Sequence, residues 1–403
     1  MAIDRIPLSE YAARRKRLLG ALKKSVALIH AGDNSDPLHH DFHADANFVY
    51  LTGITHEPGA ILLLAPEHPL PQRREALFLR PIDSEMARWD GLRPEIGQEL
   101  RDACGIETVQ RLYHLPRALN YAARRTKSLA CVHPFAAHNQ PVTPDLQLFR
   151  KVAERMPGIT IEDHTETLAR MRASKSKNEV ALVQRAAQIT ADAYEALFKV
   201  LRPGVNEFDV AQTLEQAYRA GGARELAYGT IAGSGLNSTV AHYRANDATL
   251  QDGDVICIDS AAKFGGYCAD VTRTLPVGGR FTDRQREVYD VVLQAQVAAV
   301  AAVKPGVTLA AVDGVARKII EKAGFGDAFY HSIGHHLGLD VHDANPDEPL
   351  REGAIVTIEP GVYLPEERLG IRIEDDILVT KTGSRNLTAM IPKKAAEIEK
   401  RLA

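Results

Sequence analysis

The sequence predicts an α/β (α+β) protein of two domains, the second of them internally duplicated. Three observations carry this expectation. The chain has 403 residues, against roughly 150 residues per domain. Apolar runs of strand length alternate with helical patterns. Finally, Leu201-Arg-Pro-Gly-Val205 is echoed 102 positions later (303 − 201) by Val303-Lys-Pro-Gly-Val307. Each copy follows a long amphipathic helix and precedes a second helix ending at glycine, Gly221-Gly222 and then Gly324. Two related halves should pack about a pseudo-twofold axis, with a site where they meet.

The first domain, residues 1–165, reads as mixed α/β. A helical pattern spans 9–24. Strand-like runs follow at 26–31, 48–54, 60–65 and 76–79. Arg14-Arg-Lys-Arg17 is expected to form a solvated helix face. The prolines of 65–71 mark a surface loop. Met156-Pro-Gly158 is a break before a short strand at 159–161. The domain boundary is expected between 160 and 176, and the second domain over 170–403. Ser176-Lys-Asn-Glu179 is a capping box. It opens a helix with apolar positions at Val180, Val183, Ala187, Ala191, Tyr194 and Phe198. That helix is expected to end at Arg202-Pro-Gly204.

Composition excludes several classes. Lys+Arg 49 against Asp+Glu 52 leaves a net charge of −3, which argues against a broadly basic nucleic-acid binder and an acidic disordered chain. No run approaches the ~18 apolar residues of a membrane-spanning helix. No apolar stretch follows the charged amino terminus, so no secretory signal is expected. Cys104, Cys131, Cys257 and Cys268 form no Cys-x-x-Cys pair. They read as buried apolar residues of a protein in a reducing cytoplasm.

The chemistry lies in acids embedded in strand-like sequence. In 254–274, two β-rich runs flank Lys263-Phe-Gly-Gly266. With Phe264 and Gly265 as the central pair of a hairpin turn, Asp259 stands directly opposite Asp270. Like charges so close are destabilising unless a cation lies between them; the alternative is a bulge that turns one Asp to solvent. In the same register Cys257 faces Thr272 and Cys268 faces Ala261, too far apart for a disulfide. A second pair, Glu359 and Glu374, is expected to face across a longer hairpin around Pro365-Glu-Glu-Arg368.

Four of the 15 histidines cluster in 330–343: His331, His335, His336 and His342. A simple strand cannot place His335 and His342 on one face, so a turn or bulge is expected between them, with Gly338 the candidate. Four carboxylates and a histidine form a hard ligand set suited to Mn²⁺, Co²⁺ or Zn²⁺. Two such ions balance the four charges, activate a water and polarise a carbonyl. The residues thus describe a candidate dinuclear metallohydrolase. There is no phosphate loop and no His-Glu-x-x-His, and Gly233-Ser-Gly235 lacks the full nucleophile-elbow pattern.

These motifs resemble the Xaa-Pro peptidases, the aminopeptidase P and prolidase (Xaa-Pro dipeptidase) family of pita-bread metallopeptidases. The resemblance rests on Ile258-Asp259-Ser-Ala, Asp270-Val-Thr-Arg-Thr274, Gly334-His335-His-Leu-Gly-Leu-Asp-Val-His342-Asp343, Thr357-Ile-Glu359-Pro-Gly361 and Gly370-Ile-Arg372-Ile-Glu374-Asp375. Phe48-Val-Tyr-Leu-Thr-Gly53 and Glu57-Pro-Gly59 extend it into the first domain.

The resemblance implies a creatinase/prolidase-like amino-terminal domain followed by a pita-bread catalytic domain. It implies two divalent ions per subunit, Mn²⁺ first, with Co²⁺ or Zn²⁺ as alternatives. Asp259 would bind one ion, Asp270 and Glu374 would bridge both, and His335 and Glu359 would complete the second. Glu359 would also shuttle a proton. His242 and His342 would hold the substrate near the scissile carbonyl. His331, Tyr363 and Arg372 would line the proline side, and Tyr228 would stand beside the ions. His336 occupies a position that is often bulky in the family. Trp89, the only tryptophan, would reach toward a neighbouring subunit or serve as a core or interface anchor.

The expected activity is hydrolysis of the bond between an amino-terminal residue and a following proline, in a cytoplasmic homodimer or higher homo-oligomer with no nucleic-acid or membrane partner. A dipeptidase restricted to Xaa-Pro is the alternative, with His39, His40 and His43 as candidates to hold its substrate's carboxylate. Methionine aminopeptidase shares the five ligands but leaves the first domain unexplained. Creatinase shares both domains but does not use this carboxylate set. A pseudoenzyme that keeps the fold as a binding module fits poorly with five intact ligand positions.

Overall fold

The computed structural model describes residues 5–33, 42–85 and 87–403, so His39 and His40 lie outside the described residues. Two compact units emerge, Ile6–Met171 and Arg172–Ala403.

The first unit is built on a six-stranded mixed sheet. Its spatial order is Thr108–Arg111, Glu75–Leu79, Ile61–Leu64, Val26–His30, Ser128–Cys131 and Thr160–Asp163. Helices Leu115–Thr126 and Pro144–Arg155 contribute Leu119, Ala123, Phe149 and Val152 to the core with the sheet. The stretch expected as a strand at 48–54 is instead the helix Ala46–Thr52. The reason is capping. Asp45 accepts from the Asn47 and Phe48 amides, and Gly53 closes the last turn at φ 71°. These local bonds outweigh the β propensity of Phe48, Val49 and Tyr50.

The basic run on helix Leu8–Leu22 also departs from expectation: Arg15 is only 1% exposed, and Arg14 is buried too. Arg15 pairs with Glu75 (2.6 Å) and donates to the carbonyls of Leu51 and Gly105. Both carbonyls lie at helix carboxyl ends, which carry orphan acceptors and partial negative charge.

The second unit displays the duplication bond for bond. Helices Lys177–Leu197 and Glu207–Ala220 precede the sheet strands Ile231–Ser234, Val255–Asp259 and Thr272–Pro276. Helices Asp283–Ala302 and Leu309–Lys322 precede Ile355–Ile358, Asp375–Val379 and Ser384–Asn386. The capping box at Ser176 forms, and the first helix stops at Leu197, ahead of the expected Arg202-Pro-Gly204. The two Pro-Gly-Val motifs make the same backbone bonds. Gly204 donates to Leu250, which donates back to Val205. Gly306 donates to Leu350, which donates back to Val307. The helix ends match as well, with Ala223 donating to Tyr218 and Phe325 to Ile320. One continuous apolar core joins both halves, from Tyr194 and Ile258 to Val356 and Ile377. All four cysteines are buried and unpaired. Among the described residues, no helix is long and apolar enough to cross a membrane.

Candidate metal centre and active site

The first acidic pair is set by a hairpin whose register differs from expectation. Asp259 faces Thr272, and Lys263 faces Cys268. Cys257 accordingly faces Thr274 rather than Thr272. The turn centres on Gly265 and Gly266, both with positive φ (58° and 85°). Phe264 cannot take that conformation cheaply, whereas a Gly-Gly pair supplies it. The shift moves each partner by two residues, so facing parity survives. Asp259 and Asp270 become diagonal neighbours on one face. The Tyr228 hydroxyl joins them, 2.5 Å from an oxygen of each. Burial, and then both aspartates, push the Tyr228 phenol well above its ordinary value, so it stays protonated and can donate.

The second pair stands as expected around the hairpin Gly361–Leu364 with Leu369–Arg372. Ile358 pairs with Asp375 and Gly361 with Arg372, which puts Glu359 across from Glu374 where the two ladders meet. Thr272 donates to Glu374 (2.6 Å) and Thr357 to Glu359 (3.2 Å). His335 is carried beside them by two bonds with Thr357: its carbonyl accepts from the Thr357 amide, and its amide donates to the Thr357 hydroxyl. Its Nδ1 lies 3.1 Å from the His336 carbonyl, a fit for Nδ1–H donation. That leaves Nε2 toward Asp270 and Glu359, each 3.5 Å away.

Asp270, His335 and Glu374 offer ligand atoms all within 4.8 Å of one another. Asp259 and Glu359 line the same cavity but stand outside this tightest group. Asp259 is drawn toward Arg372, 2.8 Å away. The electrostatics fit a cation site. Burial, reinforced by neighbouring carboxylates, raises Asp270, lifts Glu374 well above its ordinary value and brings Glu359 to about 7. Burial alone would lower His335, but Asp270 and Glu359 carry it up to about 9. Acids this crowded need positive charge among them, which divalent ions supply.

The remaining candidates surround the cluster in one cavity of about 620 Å³. His242, His342, His331, Arg372 and Tyr228 line it. The His335 and His342 rings stack with centroids 4.0 Å apart, through an irregular segment rather than a strand. Arg372 donates to the Tyr363 hydroxyl (2.9 Å), so Tyr363 can donate onward to His331 Nε2 (2.9 Å). Burial lowers His331 to about 4, which keeps its ring neutral for that role. His336 lies buried beside the cluster, also lowered to about 4 by burial and then by Lys175.

Arg273, Asp343 and Asp375 fall within the quoted motifs, but their partners carried no signal in sequence. Arg273 donates to the carbonyls of Thr272 and Glu374 and pairs with fully buried Asp375 (2.7 Å). Burial alone would raise Asp375, but Arg273 and Lys393 hold it well below its ordinary value. Asp343 is clamped by Arg172 and by Lys175 (3.0 Å), which fixes the backbone next to His342. Contacts this distant in sequence leave no local pattern. The three consecutive acids Glu374-Asp-Asp376 were the one visible hint.

Fold and site together define a metallohydrolase of mixed α/β architecture, with a carboxylate-rich centre for divalent ions. Comparison with known proteins agrees. Residues 181–381 match metallopeptidase family M24, and residues 11–130 match the aminopeptidase P amino-terminal domain. The chain is 33% identical to an Xaa-Pro aminopeptidase of Escherichia coli, over 98% of each. It is 31% identical to one of Haemophilus influenzae, over 98% of this chain and 97% of that one. Its structure superposes on Pseudomonas aeruginosa aminopeptidase PepP with a TM-score of 0.88 at 31% identity, covering 99% and 98% of the two chains. The chain belongs to the Xaa-Pro peptidases of metallopeptidase family M24 and is a hydrolase.

Proposed function

We propose that this protein is an Xaa-Pro aminopeptidase, hydrolysing the bond between an amino-terminal residue and a following proline. The observation that carries the reading is the single cavity in which four carboxylates and His335 meet the Tyr363–Arg372–His331 wall. Asp259, Asp270, His335, Glu359 and Glu374 would hold two divalent ions, Mn²⁺ first given the oxygen-rich set. Such ions, when bound, supply Lewis acidity toward the substrate carbonyl and lower the pKa of water.

The chain's own residues do the rest. Glu359, steadied by Thr357, takes a proton from the attacking water and returns it to the departing proline nitrogen. His242 and His342 hold the scissile carbonyl and its developing charge. His331, Tyr363 and Arg372 frame the proline, whose amide lacks an N–H and whose ring fixes φ. Tyr228 keeps Asp259 and Asp270 oriented.

The Escherichia coli and Haemophilus influenzae relatives, which match over the whole chain, are named Xaa-Pro aminopeptidases, which favours longer peptides over dipeptides. Xaa-Pro dipeptidase relatives match over a shorter share, 54% of this chain for one from Pyrococcus furiosus. A homodimer or higher homo-oligomer is supported by Trp89 and Leu92, which are 80% and 90% exposed. Four free cysteines support a cytoplasmic setting.

The test is an assay of Mn²⁺-loaded protein on Ala-Pro-Leu, Ala-Pro and Ala-Ala-Leu. The expected order is the tripeptide with proline first, then Ala-Pro, with Ala-Ala-Leu scarcely cleaved. Comparable hydrolysis of Ala-Pro-Leu and Ala-Ala-Leu would overturn the reading. Cleavage of Ala-Pro alone would make the enzyme a dipeptidase.

A further inference from the structure

Two arginines line the cavity, in opposite circumstances. Arg372 is buried and committed to Asp259, the Tyr363 and Thr272 hydroxyls and the Ala241 carbonyl. Arg244 is exposed, donates to the Gly229 carbonyl at 3.2 Å and makes no ion pair among the described residues. A guanidinium carries five N–H donors, so most of this one's capacity is open to a ligand.

The loop that presents Arg244 is pinned on both sides. Before it, the Tyr243 hydroxyl bonds with Glu207, Asp247 and Asn237. After it, Asn246, at a left-handed φ of 46°, accepts from the Ala232 amide and donates to the Thr230 carbonyl. The guanidinium lies over a glycine: a Cβ at Gly229 would sit 2.5 Å from its Nη1. Arg244 therefore shares a wall with Tyr228 and Ile231, not the His331–Tyr363 wall assigned to the proline.

Two divalent ions would balance the four candidate ligand carboxylates, and Arg372 is already paired with Asp259. Arg244 then contributes an uncompensated positive charge at the rim. Neither a proline ring nor a neutral first residue satisfies it, and a substrate ammonium is repelled by it. A planar carboxylate fits a guanidinium's paired donors.

We propose that Arg244 is a specificity-determining residue that selects substrates with Asp or Glu before the proline. This rests on the Xaa-Pro reading above. The same chemistry could come from the carboxyl terminus of a dipeptide, so the experiment separates the two sources. Wild type and Arg244→Gln, both Mn²⁺-loaded, are assayed on Glu-Pro-Leu and Gln-Pro-Leu, and on Ala-Pro and Ala-Pro-amide.

In wild type, kcat/KM for Glu-Pro-Leu over Gln-Pro-Leu is expected to be about fivefold at low ionic strength, the upper range for an exposed ion pair. The preference should shrink as salt rises. It should fall to near one in Arg244→Gln and survive in part in Arg244→Lys, while the Ala-Pro to Ala-Pro-amide ratio does not respond to the substitution. A Glu-to-Gln ratio near one in wild type, or one that Arg244→Gln leaves unmoved, overturns the assignment whatever the terminal pair does. Failure of wild type to cleave any of the four overturns the Xaa-Pro reading and this inference with it.

Discussion

Glu359 stands directly across from Glu374, at the junction of two antiparallel ladders that share one register. Ile358–Asp375 flanks the pair on one side and Gly361–Arg372 on the other. Two carboxylates are thus held together by backbone geometry rather than by side-chain choice. Alone, the arrangement is costly, and burial lifts both above the ordinary carboxylate range. It becomes favourable once cations share the space.

Glu374→Ala should therefore abolish activity and metal retention together. Glu374 belongs to the tight group of three candidate ligands, so its loss would remove charge compensation at the centre. Elemental analysis after gel filtration should show far less than the wild-type metal content. A variant that keeps full metal content and more than about a tenth of wild-type turnover, roughly 1.4 kcal/mol in barrier, would remove Glu374 from the centre.

Gly334→Ala should damage the site without touching a ligand. A Cβ there would lie 2.0 Å from the Thr357 carbonyl oxygen, and Thr357 is the residue whose amide donates to the His335 carbonyl in the bridge that carries His335 beside Glu359. The segment must move, and a shift of about 1 Å at a reacting centre can cost ~100-fold in rate. Retained wild-type kcat in a folded variant would show that the bridge adapts.

Much of this was legible in sequence because the embedded acids break an otherwise apolar pattern. Asp259, Asp270, Glu359 and Glu374 sit among Ile, Val and Cys, where a buried carboxylate needs a positive partner, and a ligand role would supply one. The Pro-Gly-Val echo foretold the matched backbone bonds at Leu250 and Leu350. Two departures from expectation share a cause, since local turn or cap chemistry decides both. Helix Ala46–Thr52 was hidden by its aromatic and β-branched residues, although Asp45 and Gly53 bracket it. The hairpin register lies two residues from expectation because the turn's central pair is Gly265-Gly266, not Phe264-Gly265. The burial of Arg15 and the Arg273–Asp375 pair could not be read from periodicity, because each depends on partners far along the chain.

Asp375→Asn should destabilise the protein strongly. Fully buried Asp375 answers Arg273, Lys393, Gln296, Asn386 and Thr388. Neutralising it leaves two cations without their counter-charge, at about 3–5 kcal/mol for a broken buried pair. The urea midpoint should fall accordingly. An unchanged midpoint would show that the network is dispensable.

Metal affinity should rise steeply with pH between about 6 and 9. In the metal-free protein His335 titrates near 9 and Glu359 near 7, and Glu374 is also raised. At pH 7 His335 is therefore largely protonated and Glu359 about half so. A ligand must shed its proton to bind, so loading releases protons wherever the free site holds them. Raising the pH removes them beforehand and strengthens binding, until His335 is neutral on its own above about 9. Lowering the pH through 7 protonates Glu359 and then favours metal loss. Competition titrations with Mn²⁺ at half-unit intervals should show this slope, and calorimetry in buffers of differing ionisation enthalpy should report net proton release at pH 7. Affinity that stays flat from pH 6 to 9 would mean that His335 and Glu359 do not belong to the metal's ligand set.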